Sequence, residues 1–196
     1  DGGPGTHSVA DIIQLSLNTG ATWLVMQMGG GQLNQKARVA WNNYLVDHYQ
    51  FSKKTGIEQG YEAEGYVPSP TDGFGLDIQY ANMAFGQGMT VTPLQMAAAL
   101  SSIINGGTYY RPHLVEKSID STGKEVIKKP EIIRANVVRP EVSKTIQQLM
   151  EYTLEKNHLV YGERNLRSEY GVGGKTGTAQ IGKPGGGYHD DRNNGT

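Results

Sequence analysis

The sequence predicts an α+β fold in which helices and an antiparallel sheet form one domain. Several segments carry apolar residues at helical spacing, and the clearest of them begins at Thr92. Two extended segments, Tyr109–Ile119 and Lys124–Lys128, are joined by the turn sequence "DSTG" and predict a β-hairpin. With 196 residues, the chain is long enough for one domain with a hydrophobic core. We therefore expect residues 1–196 to belong to a single domain.

The N-terminal region predicts two short helices. Ser8 and Asp11 form the pattern S-x-x-D, an acidic relative of the capping box, directly before an apolar stretch. This first helix should end near "SLNTG", because Asn18 and Gly20 favour a turn. The second helix is predicted over Ala21–Met28 and should stop at the three glycines that follow it.

A longer amphipathic helix is predicted over Leu33–Phe51. The residues at helical spacing on its apolar face are Ala37, Trp41, Leu45 and His48. The next segment, Ser52–Ile78, is rich in glycine and contains two prolines, so it predicts a loop. We expect Trp23 and Trp41 to lie in the core.

The segment "TPLQMAAALSSIINGG" carries the most complete helix signals in the chain. Thr92 is placed to cap the helix, Pro93 takes its first position and Gln95 completes a capping box. Asn105 and Gly106 supply the stop signal. The run of alanines predicts that this helix is closely packed and buried.

Two more elements are predicted towards the C-terminus. Pro140 opens a helix whose apolar face consists of Val142, Ile146, Leu149, Met150 and Thr153. The segment Gly171–Ile181 predicts a β-strand, and glycines within a strand allow another backbone to lie close alongside it.

The composition excludes several classes of function. Lys and Arg total 18 and Asp and Glu total 19, so the chain lacks the basic excess with which proteins bind nucleic acid. There is no cysteine, which rules out disulfide scaffolds, cysteine-rich zinc sites and thiol nucleophiles. No run approaches the ~18 consecutive apolar residues of a membrane span. The chain starts at Asp1 and ends in a polar tract, so we expect it to be part of a larger polypeptide with any membrane anchor elsewhere.

The stretch "GVGGKTGTAQ" places Lys175 among small residues and invites comparison with a phosphate-binding loop. That motif, G-x-x-x-x-G-K-[ST], requires a glycine five positions before the Gly-Lys pair, and Glu169 occupies this position. A carboxylate there would repel phosphate, and no helix-forming run follows Thr176. The phosphate-binding interpretation therefore fails.

A strand interpretation of the same stretch fits a peptide-binding edge. Side chains alternate along a strand, so Lys175 and Gly177 should share one face while Thr176 and Thr178 share the other. A peptide could add itself as a further strand through main-chain hydrogen bonds. The lysine would attract the terminal carboxylate of this peptide, and the threonine hydroxyls could donate hydrogen bonds to that carboxylate.

Three stretches together closely resemble the transpeptidase domain of class B penicillin-binding proteins. They are "SLN" at Ser16, "KTG" at Lys175, 159 residues later, and the long "FGQGMTVTPLQMAAALSSIINGGTYYRPHLV" between them. The long stretch is the most specific of the three, since a three-residue motif occurs often by chance. The resemblance extends from about Ser8 to Tyr188.

The resemblance implies a penicillin-binding protein/β-lactamase-like transpeptidase fold, with an antiparallel sheet between helices, incomplete in this chain. It implies a peptidoglycan D,D-transpeptidase that transfers an acyl group from D-Ala-D-Ala of one stem peptide to an amine of another. The implied partners are stem peptides, β-lactam antibiotics and a membrane-bound glycosyltransferase, with no nucleic acid. The implied location is the outer face of the cytoplasmic membrane, reached through an anchor outside this chain.

The resemblance also assigns roles to individual residues. Ser16 should relay a proton to the leaving group, and Asn18 should bind the substrate backbone and hold a catalytic lysine. Lys175 should set the positive potential and help to bind the carboxylate. The implied substrate-binding residues are Thr176, Gly177 and Thr178. The backbone N–H of Thr178 should supply half of an oxyanion hole.

The family's nucleophile motif, S-x-x-K, is missing upstream of "SLN". Ser121 precedes Lys124 at the right spacing, but these residues lie in the predicted hairpin turn, after the second motif. We therefore expect the nucleophilic serine upstream of Asp1, the closing strands and helix downstream of Thr196, and no activity in this piece alone.

Two alternatives to a transpeptidase stay open at this point, and no cofactor is expected. One is a β-lactamase or β-lactam sensor of the same fold, although "SLN" favours the transpeptidase. The other is a catalytically silent fragment or pseudo-enzyme that acts as a structural partner. The triplet His189–Asp191 could suggest a metal site, but a single such triplet in a polar tail is usually solvated, so we expect no metal.

Overall fold

The computed structural model describes residues 5–161, 170–181 and Gly187, which fall in two compact units. The first unit takes its described residues from Asp1–Arg38, Asp72–Gly88 and Gln148–Thr196. The second unit consists of Val39–Thr71 and Met89–Gln147. The secondary structure of the described residues consists of helices and short antiparallel strands, which confirms the predicted α+β class.

The first helix, α1 (Val9–Gln14), starts with the predicted reciprocal cap. The Asp11 N–H donates to Ser8 Oγ over 3.2 Å, and the Ser8 N–H donates to a carboxylate oxygen of Asp11 over 2.7 Å. These bonds to Ser8 also hold the pKa of Asp11 below its ordinary value. The local S-x-x-D pattern was thus sufficient to predict where the chain enters the first helix.

The second helix, α2 (Asn18–Gln27), begins three residues earlier than predicted. Asn18 and Gly20 belong to its first turn rather than to a loop, so their turn propensity was misleading. A Cβ at Gly20 would lie 2.7 Å from Cγ1 of Ile12, which shows that this glycine serves the close packing of α2 on α1. The expectation that Trp23 lies in the core is wrong, because 52% of the residue is exposed.

The predicted helix over residues 33–51 is present as α3 (Gln35–Asn43), which continues into a π-helical turn, Tyr44–His48. Ala37 and Leu45 are buried, as the periodicity indicated. The helix α4 (Leu76–Met83) starts inside the segment predicted as a loop. Gly75, the N-cap residue that precedes this helix, has a φ of 67° and no capping side chain, so the usual start signal is missing.

The helix α5 (Pro93–Ile104) has the predicted cap but not the predicted burial. The Gln95 N–H donates to Thr92 Oγ1, and Gln95 Oε1 accepts from the Thr92 N–H. Gln95 is fully buried and its Nε2 also donates to the carbonyl oxygens of Lys53 and Glu64, each over 2.8 Å. On the opposite side of α5, 40–45% of each of three residues is exposed: Met96, Leu100 and Ile104.

The strands form two separate two-stranded antiparallel sheets. The predicted hairpin is present as β2 (Lys117–Ile119) and β3 (Glu125–Ile127). The N-terminal part of the predicted first strand instead forms β1 (Tyr109–Tyr110) and pairs with β4 (Ile132–Arg134). Pro112 stands between the two parts and cannot donate to a ladder, which explains the break.

The last helix, α6 (Pro140–Tyr161), starts at the proline that the sequence indicated. The predicted strand at residues 171–181 is wrong: this segment joins no sheet in the described part of the chain. It lies against α6 instead, where the Gly174 N–H donates to the Met150 carbonyl over 3.1 Å. No described residue supplies a neighbouring strand, and a strand requires one.

The described residues hold neither a candidate membrane span nor a cluster of metal ligands. No helix among them is both long and apolar enough to cross a bilayer. Within the described ranges, no three metal-ligating side chains come together. The triplet His189–Asp191 lies outside the described residues.

The buried amide of Gln95 leads to a prediction about stability. Gln95→Glu keeps the acceptor for Thr92 but removes the donor to the Lys53 and Glu64 carbonyls, and it places a carboxylate in a fully buried position. We expect the free energy of unfolding at pH 7 to fall by about 2 kcal/mol or more, measured by urea denaturation. The exposed residue Gln148 serves as the control, and Gln148→Glu should change the value by less than ~0.5 kcal/mol. Equal effects of the two substitutions would contradict this account of Gln95.

Candidate functional site

The turn between α1 and α2 holds Ser16 in an unusual backbone conformation. The Leu17 N–H donates to the Ile12 carbonyl over 3.0 Å, and the Ser16 N–H donates to the Ile13 carbonyl over 3.2 Å. These two bonds form a Schellman motif, in which the residue at the position of Ser16 is usually glycine because it must be left-handed. Ser16 has a φ of 55° there, which costs on the order of 1 kcal/mol for a residue with a Cβ.

The hydrophobic side of the same turn compensates for this strain. Leu17 and Ile12, the two residues that a Schellman motif commonly packs together, are 5% and 8% exposed. Gly20 on α2 approaches Ile12 closely, as described above. Burial of these apolar groups fixes the turn and leaves the Ser16 side chain exposed to solvent.

Lys175 lies beside this turn although 159 residues separate it from Ser16. Its Nζ donates to Ser16 Oγ over 2.8 Å and to the carbonyl oxygen of Thr176 over 2.7 Å. A third, longer contact of 3.4 Å joins Nζ to Thr176 Oγ1. The structure therefore brings together two of the three residues predicted as catalytic, while their roles stay predictions.

Among the described residues, Lys175 has hydrogen-bond partners but no carboxylate to neutralise its charge. Partial burial lowers the pKa of the Lys175 ammonium. No carboxylate among the described residues forms an ion pair with it, and its partners are two hydroxyls and a carbonyl. An anionic group that approached Lys175 would thus meet a partly desolvated cation. Because Lys175 donates to Ser16 Oγ, the hydroxyl proton of Ser16 remains available to a ligand.

Asn18, the third residue predicted as catalytic, is the first residue of α2 and is exposed. Its carbonyl accepts a hydrogen bond from Thr22 Oγ1 over 3.0 Å, which helps to hold the first turn of the helix. The N-terminal end of α2, which is the positive end of the helix dipole, thus begins two residues after Ser16 in the chain.

The residues predicted to bind substrate, Thr176, Gly177 and Thr178, are exposed. Apart from its two chain neighbours, no described residue has an atom within 4 Å of a Cβ built at Gly177, so among these residues the position has open space beside its backbone. The predicted alternation of faces does not hold at its start, because Lys175 Nζ contacts Thr176 Oγ1 and the segment is not a regular strand.

Two contacts of α6 that support the site were missed from the sequence. One joins the Met150 carbonyl to Gly174, and the other joins Gln14 Nε2 to Asn157 Oδ1 over 3.1 Å. The pair of glycines before the "KTG" motif, Gly173 and Gly174, was a usable signal, because glycines at this position suggested a close approach. The pair Gln14 and Asn157, 143 residues apart, gave no signal of its own.

Comparison with known proteins assigns the family. The family model described as "Penicillin binding protein transpeptidase domain" matches residues 1–196. The chain is 35% identical over 185 residues to stage V sporulation protein D of Bacillus subtilis (strain 168), covering 94% of this chain and 26% of that protein. It is 27% identical over 188 residues to the peptidoglycan D,D-transpeptidase MrdA of Acinetobacter baumannii, covering 91% of this chain and 26% of that protein. The chain thus spans about a quarter of the length of these relatives.

Solved structures agree on the fold. Penicillin-binding protein 2X of Streptococcus thermophilus matches 96% of this chain and 27% of its own, with a TM-score of 0.77 and 24% identity. Penicillin-binding protein 3 of Mycobacterium tuberculosis, complexed with aztreonam, matches 94% of this chain and 40% of its own, with a TM-score of 0.71 and 24% identity. With the family model matched over its whole length, this chain belongs to the penicillin-binding protein transpeptidase domain family.

Proposed function

We propose that this chain is part of the single transpeptidase domain of a serine-type peptidoglycan D,D-transpeptidase. The observation that carries the proposal is the 2.8 Å hydrogen bond from Lys175 Nζ to Ser16 Oγ, which joins the second and third motifs of the family. The family match over residues 1–196 and the name of the MrdA relative support the same assignment. The complete activity also requires the nucleophile motif, which these 196 residues do not contain in the expected place.

The proposed reaction is acyl transfer in two steps. A serine of an S-x-x-K motif, in polypeptide upstream of this chain, attacks the penultimate D-alanine carbonyl of one stem peptide and forms an ester. The C–N bond to the terminal D-alanine breaks, and the leaving nitrogen takes up a proton. An amine of a second stem peptide then attacks the ester, releases the serine and completes the cross-link.

In this scheme Ser16 relays the proton. Its Oγ accepts from Lys175, so its own O–H can be directed at the leaving nitrogen. When that proton is donated, the serine oxygen takes a replacement proton from the base that accepted the nucleophile's proton. Lys175 stabilises the partial negative charge that develops on Ser16 Oγ during the transfer. The left-handed turn holds this hydroxyl in place before substrate arrives.

The third motif binds the substrate peptide. Lys175 and Thr176 are proposed to hold the terminal carboxylate, and the contact between their side chains, a cation and a hydroxyl, supports this role. The open space beside Gly177 admits the substrate backbone, and the N–H of Thr178 is proposed as one donor of the oxyanion hole. Asn18 is proposed to bind the substrate backbone from the other motif.

The proposed cellular location of the domain follows from its proposed substrate. Peptidoglycan stem peptides lie outside the cytoplasmic membrane, so we place the domain on the outer face of that membrane, with its anchor elsewhere in the protein. The proposed partners are the stem peptides, β-lactam antibiotics that mimic them, and a membrane-bound glycosyltransferase. We propose no cofactor for the reaction.

The first test of this proposal is covalent labelling of the full-length protein with fluorescent penicillin. Lys175→Ala should slow labelling by about 10- to 100-fold, because a charged hydrogen-bond donor to the carboxylate and to Ser16 is lost. The control is Lys144→Ala, which removes an exposed lysine of α6 and should leave the rate unchanged. Labelling at an unchanged rate in Lys175→Ala would refute the proposed role. Rapid loss of the label from the unmodified protein would point to a β-lactamase instead.

The second test uses the lowered pKa of Lys175. Above this pKa the side chain is neutral and no longer attracts a carboxylate, so labelling should slow at a lower pH than an ordinary lysine would require. In Lys175→Arg the guanidinium stays protonated, and the alkaline loss of rate should disappear even if the overall rate is reduced. The measurement is the labelling rate between about pH 6 and pH 10. The same alkaline decline in both proteins would show that another group causes it.

A further inference from the structure

One face of α6 contacts the chain segments that carry both motifs of the proposed site. Met150, Leu154 and Asn157 lie at positions i, i+4 and i+7, which share a face of a helix. Met150 and Leu154 meet the segment before Lys175, whereas Asn157 meets the end of α1 before Ser16. The helix thus spans from one motif to the other over about 10 Å, at 1.5 Å per residue.

At the first end, two glycines allow the "KTG" segment to lie directly on α6. A Cβ at Gly173 would lie 2.8 Å from Met150 Cβ and 3.1 Å from the backbone nitrogen of Glu151, which leaves no room for a side chain. A Cβ at Gly174 would lie 3.4 Å from Leu154 Cδ1, an ordinary contact. The hydrogen bond from the Gly174 N–H to the Met150 carbonyl fixes the backbone one residue before Lys175.

At the second end, a side-chain amide pair connects α6 to α1. Gln14 Nε2 donates to Asn157 Oδ1 over 3.1 Å, in a partly buried position. Gln14 is the last residue of α1 and stands two residues before Ser16. A change in this contact would shift the end of α1, and with it the turn that orients Ser16 Oγ.

We propose that this face of α6 is a brace that sets the distance between Ser16 Oγ and Lys175 Nζ, with Gln14 and Asn157 as positioning residues. The inference rests on the proposed function, since it concerns the same site. Neither amide contacts Ser16 or Lys175 in the described structure, so both act through the backbone. A regular helix between the two contacts is stiff enough to keep their separation fixed, and a misplacement of about 1 Å in a catalytic group can cost up to 100-fold in rate.

The test exchanges the two amides in the full-length protein. Gln14→Asn shortens one side chain and Asn157→Gln lengthens the other, so each single variant mismatches the pair, whereas the double variant restores the total length. We expect each single variant to slow the acylation step by about tenfold with little change in reversible penicillin binding. The double variant should return to within about twofold of the original rate. The matched control is Gln148→Asn, which makes the same chemical change at an exposed position of α6 and should have no effect.

A separate readout distinguishes positioning from simple loss of stability. If the brace loosens, the partial desolvation of Lys175 decreases, its pKa rises towards the ordinary lysine value, and the alkaline decline of the acylation rate moves to higher pH. The thermal midpoint should move by only a few degrees in the single variants. A purely structural role would lower the midpoint without moving the pH profile, and this result would overturn the proposal.

The other end of the brace offers an independent pair of variants. Gly173→Ala should slow acylation because its methyl group displaces the segment from α6, whereas Gly174→Ala should be tolerated. Equal rates in the two variants would contradict the brace. If Lys175→Ala slows acylation but the amide and glycine variants do not, only the brace is refuted. If Lys175→Ala has no effect, the proposed function itself fails.

Discussion

The hydrogen bond between Lys175 and Ser16 is the interaction on which the functional account depends. It connects two short motifs that are 159 residues apart and that have little meaning separately. A lysine that donates to a serine hydroxyl does two things at once, because it orients the hydroxyl and presents a positive charge beside it. No carboxylate among the described residues neutralises the Lys175 ammonium, so its charge is available for a substrate carboxylate.

The elements around this bond show how the fold supports the chemistry. A serine occupies a left-handed position where glycine would cost less, and the buried Ile12 and Leu17 stabilise the turn that imposes it. At the Lys175 end of the site, Gly173 has no side chain, and this allows the segment before Lys175 to lie against α6. Both departures from local preference occur within two residues of a proposed functional group. Such departures are expected where function, rather than stability, selects the residue.

Signals within a few residues predicted most of the helices. Contacts between residues far apart in the chain could not be predicted in this way. The start of α5 was predicted correctly because Thr92, Pro93 and Gln95 carry the whole signal within four residues. The helix α4 was missed because Gly75 at its start supplies no capping side chain. The strand predicted around Lys175 is absent because strand formation requires a neighbour, and the local sequence cannot show whether one is present. The resemblance identified the proposed site residues, but no local pattern could indicate the contact between Gln14 and Asn157, which are 143 residues apart.

The central claim is that Ser16 and Lys175 act as one unit, and a double-mutant cycle on the full-length protein measures this directly. The acylation rates of Ser16→Ala, Lys175→Met and the double variant would be compared with that of the original protein. The account predicts strong coupling, of about 1–3 kcal/mol, because loss of the serine hydroxyl should matter little once its lysine is gone. Additive effects of the two substitutions, with a coupling energy near zero, would contradict it.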